Sequence, residues 1–184
     1  MAIRIKSQWY NEDRDRSLQE IAGALAFNAW KLAMDKAITL HGEHFIYESD
    51  RQRLNVIAEY LVFQVQIVDR MVHQSLEQED RQILITAFAR RLAEHMQENS
   101  CELLGGGDHG NDFIALLNRR SQEYSELGFG ADGPSYPFMR HLGYEIQQIM
   151  GTSQENRWVI DQVMDMDAPE IHKQMKRTLR NLFS

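Results

Sequence analysis

The stretch DRQRLNVIAEYLVFQVQIVDRMVHQS, residues 50–75, decides the fold class. Leu54, Ile57, Ala58, Leu61, Val65, Val68 and Val72 recur at helical spacing, and Val56, Tyr60, Phe63, Ile67 and Met71 make a second stripe beside the first. Its β-branched and aromatic residues would suit a strand, but strict alternation is absent and the run is too long. At about 100° per residue, Gln52, Asn55, Glu59, Gln66, Arg70 and His73 fall within a strip about 80° wide. A helix apolar over most of its circumference belongs in the middle of a bundle.

The neighbouring segments read as helices too. Ser49 with Gln52 forms a capping box that opens the central helix. Upstream, Ser17 with Glu20 forms another, predicting a first helix that runs to about Leu40 with Gly42 as its stop. Downstream, a third helix over about 78–103 carries Ile85, Phe88, Ala89, Leu92 and Met96 opposite Arg90, Arg91, Glu94 and Glu98, and Gly105, Gly106 and Gly107 end it. A fourth, about 112–127 and capped by Asp108 or Asn111, precedes a Gly-rich loop at 128–136 expected to hold several left-handed residues. A fifth spans about 137–150. Thr152 with Glu155 opens a short one through about Met164, and Asp167, Pro169 and Glu170 open the last. The expected fold is therefore all-α, an irregular multi-helix bundle with three long helices followed by shorter ones. Residues 1–15 read as an arm, with Ile3, Ile5, Trp9 and Tyr10 its apolar members, and 16–184 as a single helical domain.

Composition narrows the function classes. The 184 residues carry a formal net charge of −7, which argues against binding the phosphate backbone of a nucleic acid. A single cysteine, Cys101, can make no intrachain disulfide, and no apolar run approaches the roughly 20 residues that span a bilayer. The expectation is a cytoplasmic chain with no membrane span.

Several motifs invite a catalytic or binding reading. Residues 128–133, GFGADG, match G-x-G-x-x-G, but the segment before them is helical and polar, and Pro134 and Pro137 interrupt the segment after them. Dinucleotide binding needs a buried strand before the loop and a helix after it. Residues 20–25, EIAGAL, resemble the opening of a helix-turn-helix, yet Ala26 to Trp30 continue the helix where a turn is required. No nucleophile elbow, P-loop or Ser/His/Asp arrangement is present, and Cys101 has no adjacent cation. The cations Lys173, Lys176, Arg177 and Arg180 of the last helix suit the negative end of its dipole.

Metal ligation has more to offer. Asp69 and His73, like His141 and Glu145, are spaced i, i+4, which points both side chains of each pair the same way from a helix. The paired Glu-x-x-His motifs of di-iron carboxylate bundles are absent. The loop residues His41, Glu43 and His44 lack a rigid support. Separately, Glu59, Arg70 and His73 on the polar strip of the central helix must be paired, hydrated or offered to a ligand.

The leading expectation is a non-enzymatic helical protein that acts through protein–protein interaction, as a homodimer or with another chain, and needs no cofactor. Apolar residues on more than one face of the first helix, Phe27, Trp30, Met34 and Ile38 beside Ile21, Leu25 and Leu32, motivate it. The alternatives are a bundle binding a transition metal or cofactor through Asp69, His73, His141 and Glu145, with redox activity as one use of it, and a small-molecule sensor with a pocket at Glu59, Arg70 and His73.

Overall fold

The structure, a computed structural model, describes residues 11–42, 45–151 and 156–184. The chain runs through helices α1 (Asn11–Gly42), α2 (Asp50–Val72), α3 (Gln78–Leu104) and α4 (His109–Ser125), then a two-stranded hairpin, β1 (Phe129–Gly130) with β2 (Gly133–Pro134). Helices α5 (Tyr136–Met150) and α6 (Val159–Gln162), a π-helical turn (Val163–Asp167) and α7 (Ala168–Phe183) complete it. The all-α multi-helix bundle with three long helices ahead of shorter ones is what the molecule adopts. None of these helices is long and apolar enough to cross a membrane.

Helix α2 is the axis of the bundle and packs against α1, α3, α4, α5 and α7. Every residue from Val56 to Val68 is buried. Phe63 meets Phe138 of α5 and Tyr124 of α4 in an aromatic cluster that Phe129 of the hairpin extends. Each such side chain taken fully from water contributes about 1.5–3 kcal/mol, so this helix sets the packing of the others.

The helix ends show where local signals won and where they lost. Ser49 caps α2 by accepting from the Gln52 N–H at 3.2 Å, while Gln52 Oε1 accepts from the Glu48 N–H, one residue before the expected partner. Helix α2 stops at Val72 rather than about 75, with the Leu76 N–H closing a turn onto the Val72 carbonyl. Ser17 with Glu20 opens nothing, because α1 already starts at Asn11; a Ser three residues before a Glu also arises inside a helix. The first ten residues, residues 43–44 and the Thr152–Glu155 box lie outside the described residues. Asp108 occupies the cap position of α4 without bonding a backbone N–H, since its carboxylate accepts from Asn111 Nδ2 instead. Asp167 does not cap α7 either. It is helical, at the end of the π turn, and accepts the buried Tyr60 hydroxyl at 2.6 Å. Lys36 of α1, also buried, pairs with Asp167 and Glu170.

Of the three glycines in the 128–136 loop, Gly133 alone has positive φ, at 113°. A two-residue pairing supplies the remaining turn, with Phe129 opposite Pro134 and Gly130 opposite Gly133. The hairpin packs on α7 so closely that a Cβ at Gly133 would stand 2.2 Å from His172 Cε1. That contact, and the absence of a buried strand before it, leave this glycine-rich loop no place for a pyrophosphate.

Candidate functional site

The polar strip of α2 is used from end to end. At its start Gln52 Nε2 donates to the Ile149 carbonyl at 3.0 Å, satisfying the last turn of α5. Near its end Arg70 Nη2 donates to the Tyr124 carbonyl at 2.9 Å and, at 3.5 Å, to that of Ser125, the carbonyl end of α4. A guanidinium there meets both the unpaired carbonyls and the negative pole of the helix. Between them Gln66 Nε2 donates to Ser121 Oγ at 2.7 Å. Asn55 and, at the tip of the strip, His73 are exposed.

Glu59 enters the deepest part of this seam. Arg120 of α4 grips it through Nε and Nη2, with contacts of 3.1, 3.1 and 2.7 Å. The same guanidinium donates through Nη1 to Glu123 at 2.9 and 3.2 Å and through Nη2 to Glu145 of α5. Glu123 Oε2 also meets His141 Nε2 at 3.0 Å. One arginine thus stands among three carboxylates from three helices, with an imidazole at the edge. Burial pushes the Glu59 carboxyl above the ordinary range even though Arg120 pulls it down. Burial opposes the charge on Arg120 as well, but the carboxylates overcome it and hold the guanidinium above its usual value. Burial also pushes Glu123 upward, yet Arg120 and His141 together outweigh it and carry this carboxyl below its ordinary range. Tyr124, completely buried beside this group, has a hydroxyl with no hydrogen-bond partner among the described residues.

The other half of the seam faces a groove of about 810 Å³ between α2, α3 and α4. Its floor is apolar, formed by Val65, Ile85, Ala89, Ile114 and Leu117. Its walls carry Arg70, Arg81 and Arg90, Asp69 and His73, and the neutral groups of Asn111, Asn118, Ser121 and Ser125. Arg81 is bidentate to Asp69, both contacts 2.7 Å, and its Nη1 lies 2.8 Å from His73 Nδ1. The Asp69 carboxylate accordingly raises Arg81 above the ordinary arginine value. Arg90 has no ion pair or hydrogen bond among the described residues.

The four metal-ligand candidates therefore fall into two places. Asp69 and His73 share Arg81 in the groove, while His141 and Glu145 stand with Glu123 and Arg120. Glu59, Arg70 and His73 divide likewise, with Glu59 in the buried network and the other two on the groove. Among the described residues, the group of ligand-type side chains close enough to share an ion is Glu123, His141 and Glu145, whose donor atoms lie within 4.8 Å of one another. Sequence reasoning missed Arg120, Glu123 and Arg81. A signal for Arg120 was present: Phe113, Leu117, Arg120 and Tyr124 follow one another at helical spacing, so the arginine sits in the buried stripe of α4. No protein-family model, curated protein or solved structure matches this chain.

Proposed function

We propose that this protein binds an anionic small molecule in the groove between α2, α3 and α4. The observation that carries the reading is charge. Three guanidinium groups face one carboxylate there, a local surplus of two positive charges in a chain whose formal net charge is −7. Arg90 is unpaired among the described residues and Arg70 meets only carbonyls, so both keep donors and charge for a ligand. The volume lies in the roughly 300–1,000 Å³ range of small-molecule sites, and an apolar floor ringed by amides and hydroxyls is how such sites fix orientation. The chemistry fits an organic dianion with an apolar body, such as a phosphate monoester or a dicarboxylate. Thermal-shift and calorimetric titration against paired anionic and neutral analogues tests it. An anionic compound is expected to raise the melting temperature, less so at high salt, and the Arg70→Gln/Arg90→Gln variant is expected to abolish the effect. Binding that survives in that variant, or a panel in which neutral analogues do as well, refutes the reading.

A second reading, self-association, has its own observation. Phe27, Met34 and Ile38 are 64%, 37% and 60% exposed along one face of α1, with Lys31 between them. The stripe from Phe27 to Ile38 is about 16 Å long and self-complementary. An antiparallel pairing centred between Lys31 and Met34 sets Phe27 against Ile38 of the partner subunit and Lys31 beside the partner's Asp35. Light scattering at micromolar concentration is expected to give a dimer that Ile38→Glu dissociates; a strict monomer ends this reading. The lone Cys101 makes a reducing, cytoplasmic setting part of the proposal.

A further inference from the structure

We propose that Glu123, His141 and Glu145 bind a divalent first-row transition-metal ion at the junction of α4 and α5, a site separate from the anion groove. Their donor atoms lie within 4.8 Å of one another, a span one ion can bridge. Two carboxylates and an imidazole suit manganese, iron or zinc rather than the all-oxygen shell of calcium or magnesium.

Charge argues for the valence. Glu59, Glu123 and Glu145 bring three negative charges to the single positive charge of Arg120, leaving a surplus of two. Glu59 and Glu145 are largely shielded from water, so this surplus is poorly screened, and one divalent cation balances it. Arg120 is fixed by Glu59 on the inner side, so Glu123, 35% exposed in its side chain, and His141, at 19%, form the outer side from which an ion enters. The 3.0 Å hydrogen bond between His141 Nε2 and Glu123 Oε2 joins the two atoms an ion would bridge.

A second observation, independent of the carboxylates, points the same way. Tyr124 is 1% exposed, its ring packs edge-on to His141 at 4.8 Å, and its hydroxyl is unpartnered among the described residues. Burial raises that hydroxyl well above its usual value, and the charges of Glu59, Glu145 and Glu123 add to this against the opposing charge of Arg120. A buried hydroxyl without a partner is unfavourable, and a water bound to the ion would supply that partner. Asp69 and His73 lie outside this site: they stand on the groove, beside Arg81.

The test is titration of the full chain, stripped with EDTA, with Mn²⁺ followed by electron paramagnetic resonance and calorimetry. About one equivalent is expected to bind, and pulsed spectra of the bound ion are expected to show an imidazole nitrogen. His141→Gln and Glu123→Gln should each weaken binding by about tenfold or more, and His141→Gln should remove the nitrogen signal, whereas Asp69→Asn should change neither. Glu123→Gln alters a partly exposed side chain, so with the wild-type nitrogen signal it decides the matter if His141→Gln fails to fold. Less than about a tenth of an equivalent bound, no nitrogen signal in the wild type, or unchanged affinity in Glu123→Gln overturns the proposal.

Discussion

Replacing Arg120 with Met probes the buried network most directly. Methionine keeps an unbranched apolar stem but removes all five N–H donors of the guanidinium. Glu59, whose side chain is 3% exposed, then loses the three contacts that balance its charge, and water cannot take their place. Left ionised, it would cost about 3–5 kcal/mol, the usual result of breaking a buried pair from one side. The competing route is to protonate it, in the direction burial already pushes this carboxyl. Holding a glutamate protonated at pH 7 costs about 3.7 kcal/mol, at about 1.36 kcal/mol for each pH unit above an unfolded value near 4.3. At pH 5 the same step costs about 1 kcal/mol. The sign comes from proton binding: a folded carboxyl that holds its proton more tightly than the unfolded one lends stability at low pH and loses it as pH rises through the folded value. Urea unfolding in EDTA should therefore show Arg120→Met destabilised by about 4 kcal/mol at pH 7 but by only about 1–2 kcal/mol at pH 5. Adding Glu59→Leu should recover most of the loss at pH 7 and flatten the pH dependence. Equal losses at both pH values would refute the reasoning, because a mere packing defect has no proton to take up.

Other parts of the bundle give three further expected outcomes. Burial, helped by the charge of Lys176, holds His172 below the ordinary histidine range; its stability contribution is full above about pH 6.5 and lost as pH falls through the lowered value, so denaturation midpoints should drop on acidification and His172→Phe should flatten that slope. Tyr60→Phe should cost about 1.5–3 kcal/mol in urea unfolding, since it deletes the 2.6 Å bond to Asp167 and leaves a buried carboxylate with one donor fewer. Gly133→Ala should cost about 1–3 kcal/mol, and a substantial part should persist in a His172→Ala background, because the backbone strain at φ 113° remains when the clash is gone.

The candidate site was half legible. Glu59, Gln66, Arg70 and His73 could be placed on one strip of α2 from spacing alone, because the angle between residues on a helix is set by its own backbone. Their partners could not be placed that way. Glu59 and Arg120 are 61 positions apart, and nothing local to either names the other. The i, i+4 spacing of Asp69 and His73 correctly points both the same way, yet what they meet is Arg81, brought back by the turn between α2 and α3. His141 and Glu145 share a face for the same local reason, and only the meeting of the last turns of α4 with α5 adds Glu123 to them.

Periodicity within single segments was enough to read most of the helices, the central place of α2 and the narrow polar seam along it. The tertiary structure decided that this seam divides into a closed ionic network and an open cationic groove. Helix crossings and chain reversals choose the facing residues, and those depend on packing between segments far apart in the chain.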